Sequence, residues 1–355
     1  MPIEFALLVA ASLLAVGAMR LLPKAYGSAT VALFSAVVLT WLSWQSAVWL
    51  VVGGALTLGF MVLGERLNLK TAAFVVAVVL HVLALVLLRD LPGYAWIGGA
   101  YFTLRHVHVL SDWWVGSLSR PRWDDYARYH LFLPVLAAGP IHRYQPFKRQ
   151  LARRRNDPQE LAIGAERLLW GAFQSIVLGH FLIAKAQGIL SDIIAPLPAF
   201  LFQWALSALD WVGLYLTFAG LSSVAIGLAL MMGLRIEENF NAPWRAQNLV
   251  DFWSRWHMTL TGFSRDYVFR PVAARTRSSA FGAFSAMIFL GIWHGSTVYW
   301  LGWGIWQGLG ILLTVQAQRL PFVASLPGWS GKVFAALWLS ATYPVVTLVT
   351  GGLGE

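Results

Sequence analysis

The chain has 355 residues, of which 58% are hydrophobic and 12% charged, with no cysteine and a formal net charge of +10; soluble domains carry about a quarter charged residues, so this composition belongs to an integral membrane protein. The missing thiols exclude disulfides, thiolate metal sites, S-palmitoylation and acyl-enzyme chemistry on Cys. The basic residues lie in loops between apolar runs, which makes them topology determinants facing membrane lipids or an acidic partner and not a nucleic-acid surface.

Apolar runs occupy residues 5–22, 29–44, 48–63, 71–88 and 94–109, and each comes close to the ~20 residues that cross a bilayer as a helix. The short alternating segments of an outer-membrane barrel are absent. The first run is followed by basic residues and further spans, without a small-residue cleavage site, and reads as a transmembrane helix and not as a removed signal peptide. Arg20 and Lys24 are basic, residues 43–46 neutral, Arg66 and Lys70 basic, Arg89 balanced by Asp90, and residues 105–128 basic again. This alternation predicts an N-terminus outside the cytoplasm.

Residues 117–156 are polar around one short apolar piece, 131–138. That piece cannot cross a bilayer, so it is predicted to be re-entrant or interfacial, turning at Gly139 and Pro140 with Arg149 to Arg155 on the cytoplasmic side. The basic run either sets topology or docks an acidic carrier protein or the phosphates of CoA. Longer apolar stretches follow at 168–194 and 209–234. In the second, Thr217, Ser222 and Ser223 stand among Ala219, Gly220 and Gly227, a composition that suits close helix packing or a polar contact with substrate. A polar turn at 236–244 leads to the segment 251–270, and runs at 281–294, 301–315 and 333–349 close the chain. The expectation is an all-α polytopic membrane protein with about nine spanning helices plus re-entrant or interfacial ones. It forms a single membrane domain: N-terminal helices (1–115), a cytoplasmic or re-entrant segment (116–160), a core (161–315) and a C-terminal helix (316–355).

Two stretches can carry chemistry. Read as one helix, residues 251–270 place Phe252, Trp256, Leu260, Phe263 and Tyr267 on an apolar stripe and Ser254, His257, Thr261 and Ser264 on a polar one. Asp251 with Arg255, and Asp266 with Arg270, stand at i and i+4. Such a helix lies flat at the interface or lines a polar cavity. In FLGIWHG, residues 289–295, His294 ends an otherwise apolar helix and Gly295 permits close approach. An imidazole at membrane depth is either a functional group or a hydrogen-bonding link between helices. Its ordinary pKa near neutrality suits removal of a proton from an attacking hydroxyl. No GxSxG elbow occurs, and the pairs His106/His108 and His130/His142 lack a supporting carboxylate pattern for metal. The competing readings are a transporter or flippase with intramembrane histidines and a non-catalytic membrane anchor for a partner enzyme.

Five stretches in order between residues 101 and 308 carry a resemblance: YFTLRHVHVLSDWW, AAGPIHRYQPF, FAGLSSVAIGLALMMGLRIEENFNAPW, DFWSRWHMTLTGFSRDYVFRPV and GIWHGSTVYWLGWGIWQG. They resemble the membrane-bound O-acyltransferases, in the bacterial branch that acetylates alginate or D-alanylates teichoic acids. The chain departs from alginate-type members in carrying Thr217 and Ser223 where they carry aspartates, and Gln307 before Gly308 where they carry histidine. The resemblance implies a ring of helices around a central funnel and tunnel. It implies His294 as base and His257 as the second catalytic histidine, with Trp293, Arg255, Trp256, Asn239, Asn241, Ser222 and Arg143 touching substrate and no metal. It further implies no bound cofactor, a cytoplasmic thioester donor (acetyl-CoA or an acyl carrier protein), an exported acyltransferase partner, and a multi-pass location in the bacterial inner membrane.

Overall fold

The computed structural model describes residues 2–89, 97–136 and 139–351, and among them only helices and turns occur, with no strand. Four long helices open the chain: α1 (Pro2–Leu21), α2 (Lys24–Leu42), α3 (Trp44–Arg66) and α4 (Lys70–Arg89). Ser43 starts α3 by accepting the Ser46 N–H on its side chain, which satisfies one of the otherwise unpaired amides of the first turn. On α4 only Ala73, Ala77, His81 and Leu85 are buried, one residue per turn. Val75, Val76, Val79, Leu80, Val82, Leu83 and Leu87 are exposed, as a lipid-facing helix requires. The run expected at 94–109 begins at residues 94–96, outside the described residues, as does Asp90; the helix itself is α5 (Gly99–Trp114), entered through Gly98 at φ +71°.

The chain next forms α6 (Trp123–His130), a 3₁₀ turn at Leu133–Val135 and α7 (Tyr144–Arg153). The described part of the piece at 131–138 is therefore a buried turn that spans nothing, while residues 137 and 138 lie outside the described residues. Within the basic run, Arg149, Arg153 and Arg155 are exposed. Arg154 is buried instead, and its guanidinium donates to the Met19 carbonyl.

Next comes a 37-residue helix, Pro158–Ile194, made of α8 (Pro158–Phe173), a π-helical stretch (Gln174–Leu182) and α9 (Ile183–Ile194). The 33-residue α10 (Ala199–Met231) follows. Five single helices are long and apolar enough to cross a bilayer among the described residues, and the pair Ser330–Ser340 and Thr342–Thr350, bent by 43°, makes up to six. Leu7–Leu21, Tyr26–Leu42 and Ser279–His294 are apolar over shorter lengths. By length and composition, five to six spans are found among the described residues, and the expected count of about nine is not reached.

Contacts group the chain into two compact units, Met1–Trp170 with Ser222–Glu237, and Gly171–Leu221 with Glu238–Glu355. The four linear segments expected from sequence do not coincide with these units. In the first unit a Cβ at Gly227 would stand 2.6 Å from the Gly164 carbonyl oxygen, so the end of α10 and the start of α8 touch through their backbones. In the second, Gly220 meets the Gly171 carbonyl and Ser175 in the same way, at 2.6 and 2.8 Å. Gly220 and Gly227 of α10 are thus packing residues.

The segment 251–270 is not one helix. It comprises α11 (Leu249–Arg255), α12 (Met258–Ser264) and a π turn (Arg265–Phe269), followed by α13 (Arg270–Thr276). The break falls at Trp256 and His257. In a continuous helix the Met258 N–H would bond to Ser254 and the Arg255 carbonyl would receive Thr259. Instead Met258 donates to the Asn239 carbonyl at 2.8 Å, and Asn241 donates to the Arg255 carbonyl at 3.0 Å. The polar turn beside the break satisfies what the break releases.

The remaining helices are α14 (Ser279–His294), α15 (Val298–Ala317), α16 (Pro321–Ala324), α17 (Ser330–Ser340) and α18 (Thr342–Thr350). Gly291 and Gly304 let α14 and α15 form a hairpin whose backbones touch, which brings residues after the turn back over the end of α14.

Candidate active site

His294 is the last residue of α14, and Gly295 after it has an extended backbone at φ −168°. Its ring stacks on Trp300 at 4.9 Å and 18°, and meets Trp303 edge-on at 5.3 Å and Trp293 at 4.9 Å. A Cβ at Gly295 would collide with the Trp300 indole, so glycine there is what allows the stack. The imidazole remains exposed although indoles surround it.

His257 lies in the opposite setting. It is 4% exposed and sits in the left-handed region at φ +41°, ψ +53°, a conformation that costs a residue with a Cβ roughly 1–2 kcal/mol. Its carbonyl receives the Leu260 and Thr261 N–H groups at 2.9 and 3.0 Å and so opens α12. Phe218 meets the ring edge-on at 4.7 Å and Trp293 at 6.0 Å. Nε2 is buried and has no hydrogen-bond partner among the described residues. Burial, followed by the charge of His294, holds the imidazole well below its ordinary pKa. Trp293 therefore touches both histidines, one open and one buried.

Asn239 is fully buried, and its Oδ1 accepts the Thr259 hydroxyl at 2.6 Å. Arg255 donates to Asp251 at 2.8 Å and to the Asn241 carbonyl at 3.3 Å. Burial pushes the Asp251 carboxyl up, but the Gln247 N–H and Arg255 outweigh it and hold the group below its usual value. The second expected pair, Arg270 with Asp266, forms at 3.0 Å. Trp256 packs against Phe240 (5.1 Å), Trp211 (5.3 Å) and Phe252 (5.4 Å), closing an aromatic wall on one side of the break.

All of these belong to the second unit. Ser222 and Arg143 belong to the first: Ser222 is buried on α10, and Arg143 precedes α7, where it lines a small cavity with His142, Gln150, Arg235 and Glu237. No group of three or more His, Asp or Glu is placed to hold a metal ion among the described residues. Sequence reasoning did not single out Trp300, Trp303, Phe218 or Thr259. Only the turn at Ser296 and Thr297 hints that α15 returns Trp300 to His294.

An open imidazole beside a buried one with a free ring nitrogen can move a proton at one atom and hold an oxygen at another. Relatives carry names that agree with such chemistry. Probable alginate O-acetylase AlgI of Pseudomonas aeruginosa is 30% identical over 229 residues, 61% of this chain and 42% of the relative. The Pseudomonas fluorescens protein of that name is 29% identical over 303 residues, 79% of this chain and 56% of the relative. Teichoic acid D-alanyltransferase of Streptococcus thermophilus is 30% identical over 239 residues, 61% of this chain and 56% of the relative. The chain spans about half the length of these curated relatives. Residues 115–342, which include both site histidines and all the motif residues around them, match the model of the membrane-bound O-acyltransferase family, and the chain belongs to that family.

Proposed function

We propose that the protein transfers an acyl group, acetyl or D-alanyl, from a thioester donor to a hydroxyl on an exported polysaccharide, envelope polymer or partner protein. His294 is the base. It takes the proton of the acceptor hydroxyl as that oxygen bonds to the thioester carbonyl carbon. The tetrahedral intermediate collapses with cleavage of the C–S bond, and the proton passes from the imidazolium to the departing thiolate. His257 offers its buried Nε2 to position donor or acceptor. The observation that carries this reading is the pairing of an exposed His294 with a buried His257 across Trp293, inside the family-matched region.

The donor in this reading is cytoplasmic, acetyl-CoA or an acyl carrier protein, and no bound cofactor takes part. The chain lies in a bacterial inner membrane with its N-terminus outside the cytoplasm, and an exported acyltransferase completes delivery. Arg143 and the exposed arginines of the basic run meet the anionic donor. The test is reconstitution in liposomes with labelled acetyl-CoA on one side and, separately, with a D-alanyl carrier protein. Label in ester linkage to an acceptor is expected. Passage of intact donor with no ester would instead support transport, and label transfer that persists in the joint absence of His257 and His294 would reduce the chain to an anchor for a partner enzyme.

A further inference from the structure

The interruption of the helix at His257 has a side-chain component that the backbone pairing does not need. Asn239 already holds the break through its main chain, by accepting the Met258 N–H at 2.8 Å. Its side chain adds a second tie, accepting the Thr259 hydroxyl at 2.6 Å. Asn239 is 0% exposed and Thr259 8%. Burying an amide and a hydroxyl is unfavourable unless they are paired, so this bond is strongly favoured where it stands. Met258 and Thr259 directly follow His257, whose backbone is in the left-handed region. On the other side of His257, Arg255 is anchored to Asp251 and to Asn241. The histidine is therefore tied down on both flanks, while its ring is gripped between Phe218 and Trp293.

Strained backbone persists only where its surroundings over-determine it. We infer that Asn239 and Thr259 are positioning residues for acyl transfer: their side-chain hydrogen bond fixes the left-handed turn at His257 and thereby aims its imidazole toward the Trp293 and His294 face. This rests on the acyl-transfer reading above. Asn239 acts through His257 and not by touching substrate.

The test uses the full-length protein in liposomes, with the labelled donor, acetyl-CoA or D-alanyl carrier protein, that supports ester formation. Thr259→Val removes the hydroxyl at constant volume, Thr259→Ala removes it with no possibility of a clash, and Thr259→Ser restores it. Rates are taken per folded protein. Val and Ala lower kcat by about tenfold or more, with KM for the donor within about twofold of wild type. Ser returns kcat to within about twofold. In the Val variant the acidic limb of the pH profile moves to higher pH, because His257 loses part of its buried setting. Retention of wild-type kcat and pH profile by Val or Ala, while His294→Ala is inactive, would overturn the positioning role. So would a loss that Ser does not restore. An active His294→Ala would instead overturn the reading of His294 as base, and an absence of ester formation by the wild-type protein would overturn the acyl-transfer reading itself.

Discussion

A buried imidazole holds its proton weakly, because charging it in a low-dielectric setting forfeits hydration. His130, His142 and His257 are each buried in this way. Burial is the leading cause of the lowered pKa in all three, with Arg105 second for His130 and His142, and His294 second for His257. The folded chain therefore keeps these groups neutral where an unfolded chain, with His pKa near ~6.5, takes up protons. Their folded pKa values are depressed, so their share of stability is complete above ~6.5 and falls as pH drops through and below it. Thermal unfolding in detergent is expected at lower temperature at pH ~5.5 than at ~7.5, with the difference reduced in His142→Phe; an equal or higher midpoint in acid would refute this. At this scale the sequence is partly legible. His294 stands out because it ends an apolar helix, and His257 because it falls among polar and aromatic residues. Their contrast in exposure was hidden, since Phe218 and Trp293 bury His257 from elements that no spacing rule connects to it.

The helices were easier to read than their interruptions. An apolar run of membrane-spanning length announces itself, and Gly220 and Gly227 of α10 stand out as small residues that suit close helix contact. Gly227 makes that contact testable. A Cβ there meets the Gly164 carbonyl and the Leu168 N–H at 2.6 and 2.9 Å, whereas one at Gly59 on α3 meets nothing within 4 Å. Gly227→Ala is expected to destabilise the protein by about 1–3 kcal/mol, seen as a lower unfolding temperature. Gly59→Ala should leave that temperature unchanged or raise it slightly, since Ala is the better helix former by about 1 kcal/mol. The break at His257 illustrates the opposite case. Residues 251–270 satisfy a helical pattern on two faces, and local propensity contains no stop signal there. What divides them is Asn239 and Asn241, whose backbone groups replace the helix's own hydrogen bonds. That competition is non-local and could not be inferred from periodicity. The π-helical stretch at Gln174–Leu182 is equally silent in the sequence.

For the whole molecule, composition alone established a polytopic helical membrane protein, and the ordered motifs pointed to the family that residues 115–342 match. The number of spans was less legible, because helices of 33 and 37 residues exceed a bilayer while others fall short of it. The division into two units was also hidden: the 37-residue helix and α10 each contribute residues to both, which no linear cut anticipates. In the proposed acyl transfer one imidazole, His294, is the base. The most direct measurement is the rate of ester formation by reconstituted His294→Ala protein, compared with wild type at equal folded amount and equal donor concentration. A fall of about a hundredfold or more is expected, the scale of removing a general base, with the unfolding temperature unchanged. Ester formation at the wild-type rate would contradict it.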